Sequence, residues 1–452
     1  MYNFFLKKVE IWLVGLLIVC FIFFTIISAA ILRDAYLEKN KTPKVLRETL
    51  VYVSEIPKNT LKIIDHFMGS DINLPPTLDK HKDKKRFERF INKKRNALLV
   101  LPRYDHSESR AMVDIIDLNN FELIHRYKHD IENFNNQVEN LDEFPSLNID
   151  TGPVRFHYTH PLILEDGSLI GKDSGPLFRL DLCSNLQWIN DQEVFHHSLM
   201  LDSKSDIWAS ARQNPYSKFV DKFDIEDFRD DSIVKLNKDG DILYNKSVIE
   251  ILIENKIFPE NFPFSSIKSG QFDPLHLNDI EPALSDTKYW KKDDLFLSIR
   301  NQSAIIHYRS STNKIINYIT GPFAEQHDVD VISDKEISIF NNNHFFKNNK
   351  YSEVIIYNFE TQKFTKLFNK QLQEENIKTQ SGGLHDILKD GALMVEEQNH
   401  GRIILFNNKG EKEWEFINKD SNQDIGLVSW SRIIEDKLFI AKFKQLAENK
   451  EC

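Results

Sequence analysis
The strongest pattern along the chain is an apolar stretch without a single charge, Ile11 to Leu32. As a helix rising 1.5 Å per residue, a run of this length crosses a hydrocarbon core roughly 30 Å thick. Lys7 and Lys8 precede it, while Arg33 and Asp34 follow with cancelling charge, so the positive-inside bias puts the N-terminus in the cytoplasm and the rest outside it. Residues 1–33 are therefore expected to form a cytoplasmic tip and a transmembrane signal anchor. Ser28 and Ala30 leave a cleaved signal peptide as the alternative, although such apolar regions usually run only about 7 to 15 residues. Over 34–95 the chain turns charged, and Leu46, Leu50, Val53 and Ile56 recur at near-helical spacing before Pro57, predicting a short helical stalk. Its last part, Asp79 to Arg95, is rich in Lys and Arg and reads as a solvated face or a contact with anionic lipid.

Beyond residue 96 the period changes to that of strands. A phrase of His, apolar stretch, polar turn and second apolar stretch starts at His160, His197, His276, His327 and His385, and each copy reads as two short antiparallel strands. Two more strands follow in most copies, as in Ser232–Asn237 before Asp241–Tyr244 and Ile403–Asn407 before Glu411–Trp414. Four strands per repeat is the pattern of a propeller blade, which buries its faces only against its neighbours. Strand-like sequence at Leu427–Phe443 supplies the start of a unit, and Met112–Asp117 and Phe121–Ile124 supply its finish. Together they predict a sixth blade joining the two ends, so that residues 96–446 form an all-β, six-bladed propeller followed by a tail at 447–452. Long insertions at Gln213–Asp231 and Glu250–Phe272 map to loops.

Composition sharpens this picture. Thirty-three Phe and thirteen Tyr against five Met favour strands, and a net charge of −10 argues against a nucleic-acid partner. Cys20 lies in the apolar run, leaving Cys183 and Cys452 as the two that can pair. No cysteine–histidine cluster has zinc spacing and no Gly-x-x-x-x-Gly-Lys phosphate cradle occurs, so neither a metal nor another cofactor is expected.

If each phrase-leading His begins an innermost strand, imidazoles from distant parts of the sequence gather at one mouth of the channel. The densest chemistry lies in Asp273-Pro-Leu-His276-Leu-Asn278, Ser298-Ile-Arg300-Asn-Gln302, Glu325-Gln326-His327-Asp328 and Ile339-Phe-Asn341-Asn342, with His196-His197 upstream. In these phrases and their order the chain resembles the bacterial arylsulfate sulfotransferases, specifically over about 195–343. The resemblance implies a six-bladed propeller that moves a sulfuryl group from a phenolic sulfate ester to a phenol without a nucleotide donor. It implies His327 as nucleophile, forming a sulfohistidine, Arg300 and His197 as donors to the group in flight, and His276 as acid and base. Asn278, His196 and His385 would line the substrate. The implied partners are a phenolic sulfate donor, a phenolic acceptor and, through residues 11–32, a membrane. The implied location is the bacterial inner membrane with the propeller in the periplasm; the oligomeric state stays open. Asp328 and Asp330 beside His327 depart from the family pattern and would either orient the imidazole or repel sulfate. A non-catalytic binding propeller and a propeller hydrolase are the alternatives, because this architecture hosts many functions.

Overall fold
The computed structural model describes residues 10–36, 42–47, 49–54, 56, 80–144, 147–218, 228–257, 273–343, 351–379 and 381–452. Lys7, Lys8, much of the predicted stalk and the centres of both long insertions lie outside these. The chain divides into two units, Met1–Leu74 and Pro75–Cys452. In the first, Ile11–Tyr36 is one helix, long and apolar enough to span a membrane or serve as a signal anchor. Residues 44–47 and 49–54 are also helical.

The second unit is an all-β, propeller-like arrangement. Three sheets have four strands, one has five and one has seven. The seven-stranded sheet arises because Leu186–Leu201 is one continuous strand of 16 residues. Residues 186–190 and Phe195 pair with Gly175–Leu180, whereas residues 194–201 pair with Ile207–Arg212. It thus ends one four-stranded unit and begins the next. The chain ends meet in the sheet where Arg432–Ile434 pairs with Leu98–Val100, ahead of Arg110–Asp117 and Glu122–Tyr127.

Each apolar cluster draws on two successive units, which is how alternating strands bury both faces without a separate core. Trp208 and Ile233 pack with Leu277, Ile280 and Ile306. Phe296 and Ile305 pack with Val329 and Ile339, and Phe340 and Val354 with Val395 and Ile404. The series returns on itself, since Met394 and Trp414 pack against Leu99 and Trp430, and Val100 and Val113 against Leu169 and Phe178.

Two segments differ from the reading of the sequence. Lys80–Arg95 is not a helical stalk: Phe87–Arg89 adds a fifth strand along Lys412–Ile417. Its basic residues meet carboxylates there, with Arg95 bonding both oxygens of Glu413 at 2.8 and 2.7 Å and His81 bonding Glu397 at 2.9 Å. A basic run beside a strand rich in Glu is consumed by ion pairs that also hide a sheet edge. After the short strand at 432–434, Lys437–Glu448 is a helix in place of further strand. The Asp436 side chain accepts from the Phe439 N–H, and Phe439, Ile440, Phe443 and Ala447 follow the helical period onto the neighbouring core.

Beyond this helix Cys452 forms a disulfide with Cys183, across a sequence separation of 269 residues, while Cys20 is free. The bond pins the terminal helix to the turn between two outer strands. Cys452→Ser is expected to lower the stability of the solubilised full chain by about 2–4 kcal/mol. Dithiothreitol should reproduce the shift in the wild type, and an unchanged thermal midpoint in both cases would show that the helix holds without it.

Candidate active site
A residue in the left-handed backbone region precedes the innermost strand of each repeat. It is His160, His197 and His276 in three of them, with φ of 53°, 50° and 55°. Elsewhere Glu325, Gly383 and Trp430 take that conformation, with φ of 51°, 92° and 64°. His327 and His385 therefore stand two residues further along, and the five histidines are not equivalent by position.

Four imidazoles and one indole nevertheless converge. The His197 ring lies 4.9 Å from His276, 6.4 Å from His327 and 6.1 Å from Trp430, and His196 is 5.0 Å from His197. Neighbouring side chains on a strand normally face opposite ways, but the register shifts between His196 and Leu199, and this bulge lets the two rings meet. His196 is buried and bonds His197 Nδ1 to Nδ1 at 2.7 Å, with its Nε2 3.3 Å from Asp231. Its contacts are thus to His197 and Asp231.

The partners of His327 fix its tautomer. Asn342 donates its amide to the carbonyls of Thr379 and Gly382 at 3.1 and 2.8 Å, so its oxygen must be the atom 2.8 Å from His327 Nδ1. Nδ1 therefore carries the proton, and Nε2 offers its lone pair, here accepting the Gly382 N–H at 2.8 Å. Burial, and then the charge of Arg300, push the His327 pKa down to about 3. His197 and His196 are also held well below the usual range, first by burial and then by nearby cationic or imidazole groups.

Arg300 reaches the cluster from the turn that follows Leu295–Ile299, where its N–H donates to the His276 carbonyl at 3.0 Å. Its guanidinium bonds Glu325 and Asn301, both at 2.9 Å, while its buried Nε has no hydrogen-bond partner. His276 keeps about a fifth of its side chain exposed and gives Nδ1 to Asp273 at 2.5 Å, with Arg229 3.4 Å from the same oxygen. Burial alone would raise the Asp273 carboxyl, but the His276 bond and the surrounding cations outweigh it and lower its pKa. A carboxylate behind one ring nitrogen leaves the other free to give or take a proton. Asn278 is buried, donates to the Gln326 carbonyl at 2.9 Å and so braces the segment that carries His327; its side-chain oxygen has no partner.

His385 sits apart from this group. Its Nδ1 is 2.6 Å from Asp328 and its Nε2 3.5 Å from Asp330. The two aspartates that follow His327 thus serve the next repeat, and Asn342, not a carboxylate, aligns His327. Sequence reasoning assigned no role to Asn342, Asp273, Asp231 or Trp430. The Asn341-Asn342 pair at a strand end and Asp273 three residues before His276 were visible signals, whereas Trp430 arrives only through ring closure.

The family model described as arylsulfotransferase (ASST) matches residues 160–419. The chain belongs to the arylsulfotransferase family. The match takes in every residue placed above at the mouth except Trp430. No curated protein sequence matches the chain. Among solved structures, a protein of unknown function from Bacteroides caccae is 9% identical with a TM-score of 0.47, covering 75% of this chain and 100% of its own. Virginiamycin B lyase from Staphylococcus aureus is 14% identical with a TM-score of 0.34, covering 59% of this chain and 71% of its own.

The neutral imidazoles carry a pH signature. A histidine whose folded pKa lies below its unfolded value leaves the unfolded chain with more bound protons, so stability is lost as pH falls from about 6.5 towards the folded value. His160, fully buried beside Trp430 with its pKa pushed well down by burial, is one such group outside the mouth cluster. Asn tolerates its left-handed backbone, so His160→Asn should flatten the acid side of the stability profile by up to about 1.4 kcal/mol per pH unit. Asp279 and Glu281, raised by burial, bend the wild-type profile the other way, and the comparison of variant with wild type removes them. Parallel urea-denaturation profiles between pH 4 and 7 would mean that His160 is protonated in the fold.

Proposed function
We propose that this chain is a membrane-anchored arylsulfotransferase, a six-bladed propeller outside the cytoplasm in which the long strand Leu186–Leu201 serves two blades. It moves a sulfuryl group from a phenolic sulfate ester to a phenol, without a nucleotide donor, through a sulfohistidine on His327. The observation that carries the reading is the protonation of His327: buried, neutral, Nδ1–H on Asn342 and a lone pair on Nε2, beside the permanent charge of Arg300. Neutral imidazole is the nucleophilic form, and a covalent intermediate splits one difficult displacement into two easier ones.

In the first half-reaction the Nε2–S bond forms as the S–O bond to the aryl group breaks, and the departing phenolate takes a proton from His276. In the second, His276 takes the proton of the acceptor phenol, whose oxygen attacks sulfur while the N–S bond breaks and the lone pair returns to Nε2. The Gly382 N–H has to leave Nε2 before attack, and the left-handed pair Gly382–Gly383 gives that turn backbone freedom. The donors of Arg300 and His197 meet the sulfuryl oxygens, where charge is held without reorganisation. His196, Asp231 and Asn342 hold rings in place, and Trp430 offers an apolar face for an arene.

The test uses the detergent-solubilised full chain with 4-nitrophenyl sulfate and an excess of a phenol. Release of nitrophenol matched by sulfated acceptor is expected, with one added sulfuryl group on His327 in the donor-only digest. His327→Ala should abolish both, and His276→Gln should slow transfer by roughly 10²–10⁴. Free sulfate without acceptor sulfation would identify a hydrolase, and absence of turnover a binding propeller.

Because the His327 ring is already neutral well below its ordinary range, its labelling by an aryl sulfate should not decline with an apparent pKa near 6.5. Quenched-flow labelling between pH 5 and 8 reads this directly. An acid limb centred near 6.5 would mean that the reactive imidazole is solvated, contrary to its burial.

A further inference from the structure
Beyond the mouth, the inner strands carry Asp279, Glu281, Asp328, Asp330 and Asp386 around one arginine, Arg432. Asp279, Asp328, Asp330 and Asp386 line a cavity of about 1020 Å³ together with His385 and Arg432, but none of His197, His276 and His327 reaches it. The guanidinium is taken by backbone carbonyls: Nε donates to Pro161 at 3.0 Å, and NH2 bonds the Leu199 carbonyl.

One side chain there points to a missing ligand. Asp328 accepts both the backbone N–H and Nδ1–H of His385, at 3.0 and 2.6 Å, which leaves Nε2 as the nitrogen open to a ligand. His385 is 1% exposed, and its Nε2 has no hydrogen-bond donor. It stands 3.5 Å from Asp330 Oδ2, which likewise lacks a donor. Two lone-pair atoms facing each other in a buried space repel unless something positive lies between them. Two ligands bound to one ion at ~2.0–2.2 Å with a tetrahedral angle stand about 3.4 Å apart, close to the observed spacing. Asp328, Asp330 and His385 each place one possible ligand atom within 4.8 Å of the others.

We propose that the channel binds one divalent transition-metal ion through His385 Nε2 and Asp330 Oδ2, with Asp328 as the carboxylate that orients the ligating imidazole and solvent completing the shell. A carboxylate on the far nitrogen is the usual support of a metal-bound histidine. One imidazole with a carboxylate suits Zn²⁺ or Mn²⁺. The ligands come from two inner strands, Val329–Val331 and Leu384–Ile387, which is why no local metal spacing marks them in the sequence. The site is independent of the sulfotransferase reading and lies on the cavity side of the channel.

The full chain in detergent, stripped with a chelator, is titrated separately with Zn²⁺ and Mn²⁺, followed by calorimetry and elemental analysis after gel filtration. One equivalent should bind and raise the thermal midpoint that chelation lowers. Asp330→Asn and His385→Gln should each weaken binding at least tenfold, and Asp328→Asn by roughly 10- to 100-fold. An X-ray absorption spectrum of the zinc-loaded wild type should contain one imidazole, a readout that needs no variant to fold. Absence of stoichiometric binding by the stripped wild type would overturn the site. So would full affinity in folded Asp330→Asn and His385→Gln, or a metal-free Asp330→Asn more stable than the wild type with no ion bound, which would put a proton between the two atoms.

Discussion
The structure depends on sheets that have no core of their own. Each apolar face is covered only by the face of the next unit, as where Phe296 and Ile305 meet Val329 and Ile339, and the last unit is completed by strands from both ends of the chain. A sheet arranged this way cannot relax without uncovering its neighbour. That constraint lets a precise polar site form from scattered residues: His276, His327 and Trp430 belong to three other repeats than His197, yet their rings lie 4.9 to 6.4 Å from it.

Within this frame burial sets the protonation states. Imidazoles taken out of water lose their protons, and burial pushes His327 down to about 3 with the charge of Arg300 adding to the effect. The same burial acts in the opposite sense on Asp279 and Glu281, where it favours the neutral acid. The mouth is thus a place of unprotonated bases beside a fixed cation, and the channel beneath it a place of crowded carboxylates.

Much of this was legible because the strand–turn–strand phrases repeat, and because His276, Arg300 and His327 stand in phrases resembling a known family. What stayed hidden depended on local backbone or distant contacts. The bulge after His196 breaks the alternation of a regular strand and brings its ring against His197. A continuous strand from Leu186 to Leu201 joins units that the repeat of the His-led phrase separates at His197. The basic run from Lys80 to Arg95 carried no mark of its partners, since Glu397, Glu413 and Glu415 lie some three hundred residues away. Lys437–Glu448 was taken with the strands because its apolar residues follow a strand-like start, although their spacing beyond Asp436 is helical.

The position of His385 shows how the two polar regions are tied. His327 and Asp328 are consecutive, so the backbone that presents the candidate nucleophile also presents the carboxylate that holds His385 through two hydrogen bonds. On the other side Asn342 grips His327 while donating to Thr379 and Gly382, in the segment that leads to His385. His385 is therefore oriented by a residue of the His327 repeat, while Asn342 of that repeat is itself held by the segment leading to His385, and neither blade can shift along the channel without disturbing both. A ring orientation fixed by crossing between units places the demand for rigidity on the seam between blades.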